Sequence, residues 1–507
     1  MKYILSLDIG TTSTRAIIID EDGALISSST KDYELYTPKP GWAEQDPIDW
    51  WGASVFTIKE AIKSSNISPK DISAIGLSGQ MHGSVFLDRN GEVIRPAILW
   101  CDQRTNDQCN KIYKIFGRQN FIKLSYNKAL PGFTAPKILW LEEKEPQNYK
   151  KVSKILLPKD YIRYRLSGKY VTEVSDASGT ILMDIAKRCW SHEILDGLDI
   201  DRDLLPDVYE STEITSYVSK QASSVTGLIE GTPIAGGASD NAAGAVGSGI
   251  IREGLISDSI GTSGVVFAYS KKPLYDSQGR VHSFCHAVPG RWHLTGVTLS
   301  AAGSLKWYYE NFGPSRKIEG MHPGIKGYNL LNKEAESIPA GSEGLIFLPY
   351  LSGERTPHAD PYARGVFFGL SYLHTQDHFV RSIMEGVAFS QLDCLSFMRK
   401  LNIVSDKIVL FGGGAKSKVW RQIISDVMNA KIVTLNVEEG PAYGAALIAG
   451  VGCGIYSSVE EAADKTIKEA SQIDPIRENV KKYEKLYGIY GSLYTDLKDD
   501  FEKLSHI

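Results

Sequence analysis

Two turns rich in glycine and hydroxyl residues each follow an apolar strand pattern, one turn in each half of the chain. The first reads Gly10-Thr11-Thr12-Ser13, and the second reads Gly261-Thr262-Ser263. Turns of this kind expose backbone N–H groups and hydroxyls that have no other partner, and such groups suit phosphate oxygens. The repeat therefore predicts that two halves of the chain bind one polyphosphate.

An aspartate precedes the first turn, at a position where a carboxylate could hold a metal ion beside phosphate. Asp8 lies near the end of the strand pattern that leads into Gly10. Mg²⁺ commonly keeps several waters and uses one or two carboxylates together with phosphates, so Asp8 is a candidate ligand. The alternative is a turn aspartate that bonds only its own backbone. The presence of a second, similar turn favours the metal interpretation.

A second candidate carboxylate, Asp240, stands at the start of a run of small residues that ends at Gly247. In one interpretation it is a general base in front of a tightly packed helix. In the other it is the N-cap of that helix, because aspartate is a preferred capping residue. Both interpretations hold only if one carboxylate oxygen caps the helix while the other faces a cleft.

Two further segments place polar side chains directly after a predicted strand. Met81 and His82 follow the strand pattern at 72–77, and His82 is either a ligand or a structural histidine. Asp102 and Arg104 follow the next apolar pattern. This pair could bind the hydroxyls of a polyol, or the two side chains could pair with each other.

A run of glycines, Gly412-Gly413-Gly414-Ala415, lies between the strand pattern at 408–411 and a helix that Ser417 could cap. Glycines at such a place let a flat ring or a phosphate approach the backbone closely. The alternative is a strand-to-helix turn that needs positive φ. The run matches neither the dinucleotide-binding pattern G-x-G-x-x-G nor the P-loop pattern, so those two kinds of nucleotide site are excluded here.

Strand and helix patterns alternate along both halves and predict an α/β protein with two mixed sheets. Pro47, after the capping candidate Asp46, begins a helix that runs to about Ile62. Other predicted elements are helices at about 299–311 and 374–400 and a helical segment from about 475. The boundary falls near 249–253, which gives domains at 1–250 and 251–507.

The composition restricts the class of protein. The 507 residues are 42% hydrophobic and 23% charged, which allows sizeable buried cores. The net charge of −4 argues against non-specific nucleic-acid binding. No stretch approaches the ~20 apolar residues of a membrane span, and no signal-peptide pattern opens the chain. The six cysteines lack CxxC spacing, which indicates reduced thiols in a cytoplasmic protein without a zinc site.

Two long segments resemble the signatures of a known family, the FGGY carbohydrate kinases. Residues 132–141 resemble the first signature, and residues 365–370, continuing to 378–385, resemble the second. The resemblance covers essentially the whole chain. It implies the two-lobed actin-like ATPase (ribonuclease H-like) fold, with a deep cleft between the domains. The first domain would bind the sugar and carry the first phosphate turn, and the second would bind the nucleotide.

The resemblance also implies the reaction, which is transfer of a phosphoryl group from ATP, with Mg²⁺, to a sugar hydroxyl. Segments at 76–83, 98–105, 157–161, 175–179 and 284–289 favour D-xylulose as the acceptor. The alternative is another sugar of the family's range, such as ribulose, gluconate or a different polyol or ketose. No nucleic acid and no membrane are expected as partners, and a homodimer is the expected assembly.

The resemblance assigns roles to particular residues. Asp240 is the expected catalytic base and Asp8 the expected residue beside Mg²⁺. Phosphate and nucleotide contacts are implied for Thr11, Thr12, Ser13, Gly261, Thr262, Gly414, Ala415 and Lys418. Sugar contacts are implied for Met81, His82, Asp240 and Asn241 and are added for Asp102 and Arg104. Cys101 and Lys418 depart from the family pattern, which often has asparagine at both positions.

Overall fold

The computed structural model describes residues 2–313, 324–403, 405, 407–437 and 440–507. The first of its two large sheets has seven strands: β1 (Tyr3–Ile9), β2 (Ser13–Asp20), β3 (Leu25–Asp32), β5 (Ile72–Gly79), β13 (Ile214–Tyr217), β14 (Pro233–Ala235) and β15 (Ala238–Ser239). Their order across the sheet is β13-β14-β5-β1-β2-β3, with β15 also paired to β5. Parallel and antiparallel pairs both occur, so this sheet is mixed.

The second large sheet also has seven strands: β16 (Leu255–Ile260), β17 (Gly264–Ser270), β18 (His282–Cys285), β19 (Trp292–Thr298), β22 (Lys407–Phe411), β23 (Lys431–Leu435) and β24 (Glu469–Ile473). Their order is β18-β19-β17-β16-β22-β23-β24. It too contains parallel and antiparallel pairs. The predicted α/β class with two mixed sheets is therefore confirmed.

Among the described residues, five short strand pairs lie outside these sheets: β4 (Glu44–Gln45) with β7 (Ala97–Ile98), β6 (Val85–Leu87) with β8 (Lys154–Leu156), β9 (Val171–Glu173) with β12 (Asp207–Tyr209), β10 (Met183–Asp184) with β11 (Cys189–Trp190), and β20 (Ile346–Leu348) with β21 (Val366–Phe368).

The helices of the first half are α1 (Pro47–Ser65), α2 (Asn106–Phe116), α3 (Arg118–Ser125), α4 (Thr134–Lys144), α5 (Pro146–Tyr149), α6 (Pro158–Ser167), α7 (Val174–Ala177), α8 (His192–Leu198), α9 (Lys220–Thr226) and α10 (Asp240–Gly247). Those of the second half are α11 (Ala302–Phe312), α12 (Gly324–Ser337), α13 (Gln376–Lys400), α14 (Lys418–Met428), α15 (Gly440–Gly452), α16 (Val459–Thr466) and α17 (Arg477–Leu504). Short 3₁₀ segments occur as well, among them Ser178–Thr180 and Gly413–Lys416.

The two large sheets share one local plan, as the repeated turns predict. β1 pairs antiparallel with β2 across the first turn and parallel with β5. β16 pairs antiparallel with β17 across the second turn and parallel with β22. In each sheet the glycine turn therefore follows a strand at the same sheet edge where the parallel neighbour of that strand ends. Groups of the turn and of the segment after the parallel neighbour are both available there to one ligand.

Two predicted helix caps are confirmed. At α1 the side chain of Asp46 accepts a hydrogen bond from the N–H of Ile48, and Pro47 is the first helical residue. At α14 the hydroxyl of Ser417 accepts from the N–H of Trp420. Both caps satisfy N–H groups that the first turn of a helix leaves without an intrahelical partner.

Contacts divide the chain into two compact units. The first comprises 1–252, 269–293 and 439–468, and the second comprises 253–268, 294–438 and 469–507. Within the first unit α15 packs on α10 so closely that a Cβ on Gly444 would lie 1.8 Å from the carbonyl oxygen of Ala243. The division of labour between domains 1–250 and 251–507, sugar binding and nucleotide binding, stays a prediction.

In the described part of the chain, no helix has both the length and the apolar character needed to cross a bilayer. All six cysteines are free thiols.

Asp258, on β16 in the second unit, is a fully buried carboxyl group. Neither of its oxygens makes a hydrogen bond within the described residues. Burial raises its pKa to about 8, because the charged form is poorly solvated there. The folded state therefore keeps this proton from about pH 4 to about pH 8, a range in which an unfolded chain has released it.

We expect Asp258→Asn to change the pH dependence of stability. The folded wild type binds one more proton than the unfolded chain in this range, so Asp258 costs stability as the pH rises, whereas asparagine has no proton to lose. The advantage of the variant in free energy of unfolding should be about 1–4 kcal/mol larger at pH 8 than at pH 5. Thermal or urea unfolding of both proteins at the two pH values measures it, and an equal difference at both would contradict the prediction.

Candidate active site

The first turn, Gly10–Ser13, has every backbone carbonyl bonded within the protein. The hydroxyl of Tyr33 donates to the oxygen of Gly10 at 2.5 Å, and the side-chain amide of Gln45 donates to that of Thr11 at 2.7 Å. The N–H of Tyr33 donates to Thr12 and that of Gly10 to Ser13. The N–H groups of Thr11 and Thr12 make no hydrogen bond to described residues. The turn therefore has free N–H donors and no backbone carbonyl without a partner, which suits an anion.

The hydroxyl of Thr11 connects this turn to two neighbouring segments. It accepts from the indole N–H of Trp100 at 3.0 Å and donates to the side-chain oxygen of Gln80 at 3.3 Å. Gln80 in turn donates to Gln45 at 3.0 Å. These bonds fix the turn relative to the segments that hold Met81, His82 and Asp102.

The second turn shows the same arrangement with different partners. The carbonyl of Gly261 accepts from the N–H of Ala302 at 2.8 Å. That of Thr262 accepts from the N–H groups of Ala301 and Gly303, at 2.8 and 3.1 Å. These donors lie at the start of α11, where the first N–H groups of a helix have no intrahelical partner. Two of them bond the carbonyls of the second turn and so orient these carbonyls toward the helix. Among the described residues, the N–H groups of Thr262 and Ser263 have no backbone partner.

Asp8 lies opposite Arg15 in the β1–β2 pair, two residues before the first turn. Its Oδ1 is buried and makes no hydrogen bond to the described part of the chain. Burial raises the pKa of Asp8 to about 6. An oxygen that is desolvated but unpartnered is costly, and a cation would offset that cost. The observed environment therefore fits the predicted metal role.

Asp240 is the first residue of α10, and it is not the N-cap. The cap is Ser239, whose hydroxyl accepts from the N–H of Ala242. The capping interpretation of Asp240 is therefore wrong, because the preceding serine already fills that position. Oδ1 of Asp240 accepts from the backbone N–H and the side-chain amide of Asn241, at 2.7 and 3.0 Å.

The electrostatics of Asp240 suit a general base. Burial, together with the negative charge of Asp8, raises its pKa to about 7. The hydrogen bonds from Asn241 offset only part of that rise. A carboxylate whose pKa lies near neutral pH holds a proton more strongly than a solvated aspartate and still loses it readily. Because the charge of Asp8 contributes to the rise in the pKa of Asp240, the two carboxyl groups lie in one electrostatic environment.

Met81 lies beside Asn241, and His82, the next residue, bonds to a different segment. The side-chain amide of Asn241 contacts the Met81 sulfur at 3.4 Å. Nδ1 of His82 lies 2.7 Å from the carbonyl oxygen of Gly179. Because a carbonyl can only accept, Nδ1 must carry the proton, and a neutral His82 then has its acceptor lone pair on Nε2.

His82 adopts a left-handed backbone conformation with φ of +67°. Its carbonyl accepts from the Thr134 hydroxyl at 3.0 Å and from the Lys137 ammonium at 2.8 Å. Lys137 is completely buried, and desolvation lowers its pKa to about 7. The ring of His82 packs edge-on against Phe133, with centroids 4.6 Å apart. α4 and the loop before it therefore hold this histidine in place.

Asp102 and Arg104 form an ion pair, which is one of the two alternatives that the sequence leaves open. Asp102 is completely buried and accepts from the N–H of Ala43 at 2.7 Å and from the guanidinium of Arg104 at 2.7–3.0 Å. Arg104 also pairs with Glu44 at 2.6 Å and stacks on Trp42. Direct contact of either side chain with a sugar stays a prediction. Neighbouring Cys101 is half-buried, and burial raises the pKa of its thiol.

The glycine-rich turn after β22 contains glycines of different kinds. Gly412 has φ of +86°, which favours glycine, and a Cβ on Gly414 would lie 2.5 Å from Ile260 Cγ2. A Cβ on Gly413, by contrast, would meet no described atom within 4 Å. The space beside Gly413 is therefore open. Ala415 is buried, and Lys418 is exposed at the first position of α14.

Three positioning residues were missed from the sequence: Lys137, Phe133 and Gly179. Lys137 and Phe133 lie inside the first family signature, which was a usable signal, although the residues they contact are more than 50 positions away in the chain. Gly179 lies in the segment 175–179, whose pattern bears on the acceptor sugar but does not point to a contact with His82. Only the folded chain brings it to His82.

Comparison with known proteins supplies the family. The N-terminal domain of the FGGY family of carbohydrate kinases matches residues 3–247, and its C-terminal domain matches residues 257–453. The chain belongs to this family. It is 40% identical over 499 residues to the xylulose kinase of Bacillus subtilis, with 98% of each chain covered. It is 31% identical over 506 residues to the gluconokinase of the same organism, covering 99% of this chain and 98% of the relative.

A solved structure agrees. The crystal structure of xylulose kinase from Rhodospirillum rubrum matches with a TM-score of 0.91 and 28% identity, over 99% of this chain and 100% of the other. The predicted family and its actin-like ATPase fold are thus confirmed, and the chain is a carbohydrate kinase, with ATP as a substrate.

We expect two neighbouring glycine variants to separate nucleotide contact from packing. Gly414→Ala should lower stability by about 1–3 kcal/mol, because its Cβ meets Ile260. Gly413→Ala should leave stability unchanged and weaken ATP binding by about tenfold if the nucleotide occupies the open space. Thermal unfolding and calorimetric ATP titration measure both effects. Unaltered ATP affinity in Gly413→Ala would refute nucleotide contact at this turn.

Proposed function

We propose that the chain transfers the terminal phosphoryl group of Mg-ATP to the C5 hydroxyl of D-xylulose. Identity to the xylulose kinase of Bacillus subtilis is higher than identity to its gluconokinase, and this favours a ketose acceptor. The observation that carries the reaction type is Asp240, a carboxyl group with a pKa raised to about 7 that is not committed to capping its helix.

Asp240 acts in this proposal as the base that orients the attacking hydroxyl and accepts its proton. Phosphoryl transfer needs positioning and neutralisation of charge more than covalent chemistry from the protein. Oδ1 is held by Asn241, which leaves Oδ2 as the oxygen for the sugar hydroxyl. A base bonded through only one oxygen stays oriented while its other oxygen remains available.

His82 and Met81 bind the sugar in this proposal. The Nδ1–H of His82 is committed to Gly179, so a hydrogen bond from a sugar hydroxyl to this ring would be accepted by Nε2. The rings of Phe133 and Phe284 lie 4.6 and 6.1 Å from the His82 ring. An aromatic wall of this kind keeps water from competing with the sugar for phosphate.

Asp8 would hold Mg²⁺, directly or through water. Its buried, unpartnered Oδ1 and its position before the first turn fit a hard cation that shares phosphate oxygens. When bound, Mg²⁺ neutralises charge on the phosphates. At the first turn the N–H groups of Thr11 and Thr12 and the Ser13 hydroxyl then bind phosphate oxygens, and at the second turn the N–H of Thr262, next to Gly261, does so. Gly414, Ala415 and Lys418 line the proposed nucleotide site beside Gly413.

A cytoplasmic location and a homodimeric assembly complete the proposal. The free state of all six cysteines supports a reducing compartment. Size-exclusion chromatography with light scattering tests the homodimer.

We expect D-xylulose to give the highest kcat/KM in a panel of acceptors assayed by ADP release. A site that hydrogen-bonds particular hydroxyls rejects analogues that lack them by large factors, because its buried polar groups then stay unpaired. Ribulose, gluconate and glycerol are the comparisons. A higher kcat/KM for gluconate would replace the proposed acceptor with that of the second relative and leave the family assignment intact.

We expect Asp240→Asn to lower kcat by about 10²–10⁴-fold, the usual value of a general base. The fold should persist, because Ser239 caps α10 and asparagine has the same shape. Asp196→Asn, an exposed change of the same kind on α8, is the matched control and should keep wild-type kcat. Near-normal turnover in Asp240→Asn, at unchanged thermal stability, would remove Asp240 from the role of base.

A further inference from the structure

One short buried segment, Glu173–Gly179, contacts both the helix of the proposed base and the proposed sugar ligand His82. We call it the bridge segment. It comprises the end of β9, α7 and the first residues of the 3₁₀ turn that follows, and its residues are buried. All of these groups lie in the first compact unit.

Glu173 anchors the bridge segment. Its carboxylate accepts from the backbone N–H groups of Ser175 and Asp176, each at 2.8 Å. It also accepts from the hydroxyls of Ser175 at 2.8 Å and Ser211 at 2.7 Å, and buried Lys159 lies 3.5 Å away. A buried carboxylate with four hydrogen-bond donors and a nearby cation has little freedom to move. The first residue of the bridge segment is therefore held in place.

Ser175 connects the anchored Glu173 to the helix that begins with the proposed base. Its hydroxyl donates to Glu173 and at the same time accepts from the backbone N–H of Ser239 at 3.0 Å. Ser239 is the N-cap of α10, and Asp240 is the next residue. Two hydrogen bonds in series therefore connect the Glu173 carboxylate to the residue before the proposed base.

Gly179, at the other end of the bridge segment, holds His82, the proposed sugar-binding residue. Its carbonyl accepts from Nδ1 of His82 at 2.7 Å. A Cβ at position 179 would lie 2.8 Å from that nitrogen and 2.8 Å from the terminal methyl of Met81. The close approach of both side chains therefore requires glycine here. The bridge segment reaches His82 through one residue and Asp240 through another, four positions apart.

We propose that Ser175 and Gly179 are positioning residues that set the sugar hydroxyl against the base. Ser175 acts through Ser239 on Asp240, and Gly179 acts through His82 and Met81 on the sugar. The inference rests on the proposed function. It predicts that the two ends of one segment control different kinetic constants, Ser175 the chemical step and Gly179 the binding of the ketose.

The test compares Ser175→Ala and Gly179→Ala, with Ser211→Ala as the control. Ser211→Ala removes one buried hydrogen bond to the same Glu173 carboxylate but leaves the link to Ser239 intact. We expect Ser175→Ala to lower kcat about tenfold more than Ser211→Ala does, at similar thermal stability and with the KM for D-xylulose changed little. We expect Gly179→Ala to raise the KM and the directly titrated Kd for D-xylulose about tenfold or more, with the KM for ATP unchanged.

A double mutant tests whether Gly179 acts through His82. If it does, Gly179→Ala should raise the KM of His82→Ala by less than it raises the KM of the wild type, because the His82 ring is gone and only the contact of the new methyl with Met81 remains. Equal kcat in Ser175→Ala and Ser211→Ala, or additive effects of Gly179→Ala and His82→Ala on KM, would overturn the inference. A wild-type chain that does not phosphorylate D-xylulose would instead defeat the proposed function, so the two failures are distinguishable.

Discussion

The chemistry proposed for this chain depends on one backbone constraint, the inward bonding of the carbonyls in its two glycine turns. A turn with free carbonyls repels phosphate, whatever its side chains are. Here Tyr33, Gln45 and the start of α11 occupy those carbonyls, and the N–H groups that remain are donors without partners among the described residues. In each turn, hydrogen bonds to the carbonyls on one side therefore leave N–H donors for an anion on the other.

Burial of ionisable groups is the second constraint. Asp8 and Asp240 have raised pKa values in the first unit because burial disfavours their charged forms, and the charge of Asp8 adds to the rise in the pKa of Asp240. The hydrogen bonds from Asn241 offset part of the rise in the pKa of Asp240, and the charge of Arg15 offsets part of the rise at Asp8. Burial acts on Lys137 in the opposite direction and lowers its pKa, because here too the charged form is disfavoured. The buried Lys137 ammonium donates to two backbone carbonyls.

The sequence predicted the elements well because their signals are local. Asp46 and Ser417 cap helices where the pattern indicated, and the repeated turns lie in matching places of two mixed sheets. Asp240 was ambiguous because aspartate and serine both cap, and only the geometry shows that Ser239 fills the position. The bond of Gly179 to His82 could not be predicted, because it joins residues 97 positions apart through a fold that the local pattern does not describe.

The contacts of α4 have a consequence for the first family signature, residues 132–141. Within it, Thr134 and Lys137 donate to the backbone carbonyl of His82 and so support the peptide rather than any side chain that would read a sugar. These two contacts do not depend on which side chains stand at positions 81 and 82, whereas the ring of Phe133 in the same signature packs against the His82 ring. The backbone contacts of the signature therefore provide a scaffold on which acceptor preference can diverge. A match to the signature identifies the family but says little about which sugar is the acceptor.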